Sequence, residues 1–354
     1  MNRLLSTIFL LLVLHSYPFQ SFSKGIEFSK EPTLPPRIIR TCCAFGTDVS
    51  VMGFPDFKYN QITSVEMIGK HHYLGAESEG NGIIYTRKGG FIDVAHLRDQ
   101  SDWTAYLYSV IKSHRGIPNH EVRLGYEGGT KKLTLNIPND LSENNMKNLA
   151  GRIAYDLSVW HEIASWYGLS SVPFLTERFS SFSLEDNYSN LLGVTLGIEA
   201  LKSDLPFDDA MTKLLSDKLV ELERVDSLSQ THDAMEKVMN KWWTRYYSFP
   251  QNFVTLKRQY ATYTTTTPLI VPGDSDPRGD VCFLDIPSLE NTRLTFPDLY
   301  TLTLKLNGKL LSKKYFASLK KKEITNWDFL SIVNEVSIEC DRKLEKMEKS
   351  FDMN

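Results

Sequence analysis

The sequence predicts an α+β protein, with a mainly helical core, short strand and hairpin elements before it, and an α+β layer at the carboxyl end. Three observations predict this. Between Gly89 and Leu201, apolar residues recur at helical spacing along three long stretches. Short β-branched runs that end in glycine pairs lie before and between these stretches. Beyond Pro250, threonine and tyrosine replace the helix formers until a last charged, amphipathic stretch.

The start, "MNRLLSTIFLLLVLHSYPFQSFSKG", has the three parts of a secretory signal: Arg3, an apolar run from Leu4 to Leu14, and the small residues Ser21 and Ser23. The run is too short for a spanning helix, so residues 1–23 are expected to be a cleaved signal peptide, with an uncleaved anchor as the alternative. Residues 24–40 form an extended, proline-rich lead-in. "CCAFGTDVSVMGFP" suits strands and turns, and "NGIIYTRKGG" is a strand ending in a glycine pair, with a helix from near Phe91. "HEVRLGYEGGTKKLTLNIP" is a hairpin with a Gly-Gly turn. The second long helix takes Ser142 as N-cap and Gly168 as stop; the third starts at a capping box of Ser183 and Asp186. "PFDDAMTKLLSDKLVELERV" and "SQTHDAMEKVMNKWWTRYY" add two helices and complete a main α-rich domain over residues 41–247. Residues 248–354 form an appended α+β region. There "VTLKRQYATYTTTTPLIVPG" is strand-like, "GDSDPRGD" a loop, "TLTLKLNGKLL" a hairpin about Asn307-Gly308, and "NWDFLSIVNEVSIECDRKLEKMEKSF" a helix.

Hydrophobic content of 42% and charged content of 23% are ordinary for a globular chain. A net charge of -3 over 354 residues argues against nucleic acid as the main partner, and "KKYFASLKKK" reads as a solvated face or loop. No later segment is apolar for long enough to cross a membrane, so the expected mature chain lacks a transmembrane segment. It is expected to be periplasmic or secreted, with outer-membrane association as an option and an unknown substrate in the cell envelope. The cysteines are Cys42, Cys43, Cys282 and Cys340. Export permits disulfides, and adjacent cysteines rarely bond to each other, so one of the first two would meet Cys282 or Cys340.

Several polar residues sit on stripes that helices use for packing. Ile92, His96, Asp99, Trp103, Tyr106 and Val110 share one sector, with Asp93 at its edge, three residues before His96. On the second helix His161 flanks the apolar sector, Glu162 lies further round, and the remaining face is apolar, as in a central helix. On the third, Glu199 lines up with Tyr188, Leu192 and Thr195, while Gly193 and Gly197 open the other side to a close helix backbone. A buried carboxylate without a partner is costly, which leaves a polar network or a metal.

Asp93, His96, Asp99, His161 and Glu199 are therefore the candidate metal ligands, and zinc, manganese or iron is the implied divalent metal. His96, His161 and Glu162 are the candidate catalytic residues of a hydrolase, with Glu162 as general base. The residue four after His161 is Ser165, so the zinc-protease pattern "HExxH" is absent. Two alternatives stay open: a non-catalytic envelope protein whose polar residues form a structural network, and a cysteine enzyme with Cys42 or Cys43 as nucleophile acting on acyl or peptide bonds. Glu177 and Arg178 pair locally or reach the same interior, and His71 and His72 are lesser candidates. His114, His120 and His232 are in exposed-looking contexts.

The strings "CCAFG", "EGNGIIYTRKGGFIDVAHLRDQSDWTAYL", "HEIASWYG" and "ERFSSFSLEDNYSNLLG" resemble a bacterial family of exported proteins catalogued as domain of unknown function 4056. The resemblance covers roughly Pro35 to Leu201 well and the tail less clearly. It implies an envelope location and brings no catalytic assignment. Members often look like lipoproteins, whereas here no cysteine closely follows the apolar run.

Overall fold

The computed structural model describes residues 61–168, 180–245, 255–274 and 280–351, together with residues 26, 28, 35–36, 40, 45–47, 49–50, 58–59 and 178. The hairpin of β1 (Ile83–Thr86) and β2 (Gly90–Asp93) leads directly into α1 (Val94–Ser113). The helix therefore starts later than its apolar spacing predicts. Gly90, at φ +68°, turns the chain back, and Phe91 to Asp93 are held in register opposite Ile83 to Tyr85.

A second antiparallel hairpin, β3 (His120–Tyr126) and β4 (Gly129–Leu135), follows as expected. α2 (Glu143–Trp166) starts at Ser142, whose side chain accepts the Asn145 N–H, and stops where Gly168 adopts φ +91°. α3 (Asp186–Ala200), α4 (Phe207–Glu221) and α5 (Leu228–Lys237) complete the helical part. At α3 only half of the expected box forms. Ser183 N–H donates to Asp186 Oδ2 at 3.1 Å, but Asp186 is already helical and Glu185 is the cap.

The tail differs more. β5 (Tyr300–Leu306) does not turn back at Asn307-Gly308. Asn307 instead caps a short helix, Gly308–Leu311, its Oδ1 accepting the Leu310 N–H at 2.9 Å. The partners of β5 are β4 on one side and β6 (Glu323–Thr325) on the other, giving an antiparallel sheet in the order β6-β5-β4-β3. The threonine-rich stretch contributes only Thr265–Thr266, paired with Leu284–Asp285. α6 (Phe329–Phe351) closes the chain.

α1 is the centre of the molecule: every residue from Val94 to Ile111 is buried. The sequence predicts one inner face, but α2, α3 and the segment before residue 81 cover the helix from several sides, so its polar residues all need partners. On the α3 side the backbones approach at Gly193, where an added Cβ would lie 2.0 Å from the Leu97 carbonyl oxygen. At Gly197 it would lie 3.0 Å from Ser101 Cα. One hydrophobic cluster runs from α1 through Trp160 and Leu192 to Leu304 on β5 and Phe329 on α6, so the tail shares the core of the helices. Among the described residues, no helix is long and apolar enough to cross a membrane.

Candidate functional site

Asp93 is both the last residue of β2 and the N-cap of α1. Its Oδ1 accepts the N–H groups of Ala95 and His96 at 2.8 and 3.1 Å, which fixes the first turn of the helix. Its own N–H donates to Ser189 Oγ at 2.9 Å, tying that turn to the start of α3. This joint brings His96 to Asp186, with Nδ1 and Oδ1 2.9 Å apart. Asp186 Oδ1 is buried and accepts no hydrogen bond among the described residues, so the short approach is a contact without hydrogen-bond geometry. Asp93, His96 and Asp186 each offer a ligand atom, all within 4.8 Å of one another, and all three are buried.

α2 adds His161 and Glu162. The His161 ring stands nearly perpendicular to that of His96, with centroids 6.4 Å apart. Two imidazoles bound side by side to one ion, with bonds of about 2.0–2.1 Å, put their centroids roughly 4.5–5.5 Å apart, so His161 lies one step outside the triad. Its Nδ1 is 2.6 Å from Glu127 Oε1, in the turn between β3 and β4, and Lys131 Nζ donates to Glu127 Oε2 at 2.6 Å. Burial alone would raise the Glu127 carboxyl, but Lys131 and His161 outweigh it and hold it at about 2. An ionised Glu127 favours a proton on His161 Nδ1 and orients the ring.

Burial, then the neighbouring Asp186 charge, push the Glu162 carboxyl up to about 7, against the attraction of His161 and His96. Glu162 Oε2 accepts the Phe182 N–H at 2.5 Å. Phe182 sits at φ +54°, a left-handed conformation that costs a bulky residue about 1 kcal/mol or more. It is held there because its carbonyl also accepts the Gln259 N–H, and its buried ring packs on Tyr260. Glu185 Oε2 accepts the Ser183 hydroxyl at 2.6 Å, and burial and Asp186 push this carboxyl well above the usual range. The result is a buried acidic group of Asp93, Glu162, Glu185 and Asp186, with His96 and His161 among its neighbours.

Of the residues singled out in the sequence, Asp93, His96, His161 and Glu162 come together. Asp99 does not join them. It meets Arg40 Nη1 at 2.6 Å, and the same guanidinium binds Glu79 and Asp102. Glu199 is at the surface, 2.8 Å from Lys202. His71 is buried against Asp102, with Nε2 to Oδ1 3.0 Å, and Arg178 pairs with Glu339 on α6. His114 is not exposed as its context suggests: it is buried, its ring stacked on His120 at 3.5 Å. Cys42, Cys43 and Glu177 lie outside the described residues, and Cys282 and Cys340 are free cysteines. Asp186, Glu185 and Glu127 are the members that sequence reasoning missed. The usable signal was the adjacent acid pair in "SLEDN", where a buried helix start needs only one cap.

No curated protein and no solved structure matches the chain at a significant level. A family model described as "Protein of unknown function (DUF4056)" matches residues 30–272, more than half of the chain and the whole of the buried group, so the chain belongs to that family.

Proposed function

We propose that this chain is an exported, metal-dependent hydrolase that holds a divalent cation (zinc, manganese or iron) between Asp93, His96 and Asp186. The observation that carries the reading is the 2.9 Å approach of His96 Nδ1 and Asp186 Oδ1, in which the oxygen accepts no hydrogen bond among the described residues. Two ligand atoms at about 2.1 Å from one ion and at right angles to it are about that far apart. The cation would supply Lewis acidity and offset the surplus of buried carboxylates.

The remaining roles fall to the chain's own side chains. Glu162, with a carboxyl near 7, is tuned to take and return a proton at neutral pH. The Phe182 N–H fixes its Oε2 and so orients the carboxylate. His161, oriented by Glu127, sets its ring beside His96 at the same group. The site of action, the periplasm or the outside of the cell, rests on the signal pattern of residues 1–23, which lie outside the described residues.

Elemental analysis after loading with zinc or manganese tests the reading. The expected result is about one equivalent of metal in the native protein and loss of binding in His96→Ala and Asp186→Asn variants that still fold. No metal under any loading condition, with the fold intact by circular dichroism, contradicts it. It would then favour a structural role in which the two histidines serve only as partners of Asp186 and Glu127.

A further inference from the structure

The chain crosses from β5 to β6 through "KLNGKLLSKKYFASLKKKE", Lys305 to Glu323, which holds seven lysines and one acid in a protein of net charge -3. The structure gathers this segment at one end of the four-stranded sheet. The Leu306 N–H donates to the Lys322 carbonyl at 2.9 Å, and Lys305 pairs in register with Glu323. Two short helices, Gly308–Leu311 and Lys314–Leu319, fill the crossing. Their buried Leu310 and Phe316 join the main core, Phe316 packing edge-on to Tyr167, so the backbone of the excursion is anchored and its lysines point outward.

Six of the seven lysines are exposed and Lys313 is half-buried. None of them forms an ion pair among the described residues, and Lys309 donates to the Gly168 carbonyl instead. Many lysines elsewhere are matched with carboxylates, among them Lys131 with Glu127, Lys202 with Glu199, Lys213 with Asp217 and Lys237 with Asp274. An unmatched block of like charge repels itself, and a partner of opposite charge relieves that repulsion. At the rim, the β3–β4 turn presents Tyr126, 66% exposed, its hydroxyl accepting from Asn307 Nδ2 at 2.9 Å.

We propose that this excursion docks the protein on a membrane surface rich in anionic lipid. Clusters of several lysines recognise such a surface through its field, and ammonium groups suit a laterally mobile array of headgroups better than a fixed bidentate contact. A tyrosine at the edge sits at headgroup level, with its ring against the acyl boundary and its hydroxyl in water. The segment carries no arginine, the residue that nucleic-acid recognition favours, and Phe316 between its lysines is buried in the core. Docking would hold the protein by the end of its sheet, and it does not depend on whether the buried acidic group binds a metal.

Co-sedimentation of the full chain with phosphatidylcholine vesicles, with and without phosphatidylglycerol, tests this. The zwitterionic vesicles subtract any binding by the apolar amino terminus. The expected result is selective sedimentation with the anionic vesicles that weakens in high salt. It should fall by roughly tenfold or more in a Lys320→Glu, Lys321→Glu, Lys322→Glu variant. The same number of reversals at the exposed Lys213, Lys237 and Lys241 should leave binding within about threefold of the native protein, and circular dichroism should show both variants folded. Equal sedimentation with both kinds of vesicle, an equal loss in the two variants, or tighter binding to duplex DNA than to anionic vesicles at the same salt would overturn the proposal.

Discussion

At Glu127 two opposing effects meet in one side chain. Burial favours the neutral carboxyl, while Lys131 and His161, each 2.6 Å away, favour the anion and win. Its pKa is therefore lower folded, about 2, than unfolded, near 4.5. The stability this contributes is fully present above the unfolded value and is lost as pH falls through the folded one. The Glu127→Gln variant should lose on the order of 3 kcal/mol at neutral pH, with the deficit against the native protein shrinking between about pH 4.5 and 2. Urea unfolding at several pH values reads this directly, and a deficit that does not change with pH would exclude an ionised Glu127. His96 and Asp93 stood out in the sequence because they interrupt an apolar stripe. Asp186 did not, because an acid at a helix start has a sufficient local explanation as a cap. Glu127 was silent for a similar reason, since a polar residue in a hairpin turn carries no signal until the turn is seen to be buried.

The helices deliver their residues to one place because α3 meets α1 through glycine. At Gly193 a methyl group would clash with the Leu97 carbonyl oxygen, one residue after His96, so Gly193→Ala must push the helices apart. The expected cost is about 3 kcal/mol or more in urea unfolding, together with weaker metal uptake as His96 and Asp186 separate. At Gly197 the contact is looser, and Gly197→Ala should cost about 1–2 kcal/mol and leave metal uptake near the native level. The spacing of these glycines and the three long helices were readable from periodicity alone. The course of the chain at Asn307-Gly308 was not: the hairpin it predicts does not form, because the same dipeptide also starts a helix when asparagine caps it. What decided between them was long-range. β5 pairs with β4 from Gly129↔Leu306 to Leu135↔Tyr300, and no local pattern announces a partner so distant in sequence.

Across the whole molecule, buried charge joins segments that are far apart in the chain. Arg40 binds Glu79, Asp99 and Asp102 at 2.6–2.9 Å, and Arg98 donates to the Gly69, Glu79 and Gly80 carbonyls, so the residues before β1 are fastened to the centre of α1. Removing Arg40 would leave buried carboxylates without their cation, so Arg40→Met should cost about 3–5 kcal/mol. Thermal unfolding checks the size, and a change under about 1 kcal/mol would mean that Arg98 and His71 suffice. Asp99, read from its stripe position as a metal ligand, belongs to this clamp. Sequence spacing located a buried acid but could not say which cation answers it, because Arg40 lies 59 residues away. The fold class was legible for the complementary reason that period and composition are local, whereas the tail's contribution to the sheet and core is not.

The proposed site would hold one cation between Asp93, His96 and Asp186. This is tested most directly by an anomalous-difference map from a crystal of the native protein loaded with zinc or manganese. The expected map has one strong peak within about 2.0–2.3 Å of ligand atoms from all three residues. A map with no peak there, and with His96 Nδ1 and Asp186 Oδ1 joined by a direct hydrogen bond, would contradict it.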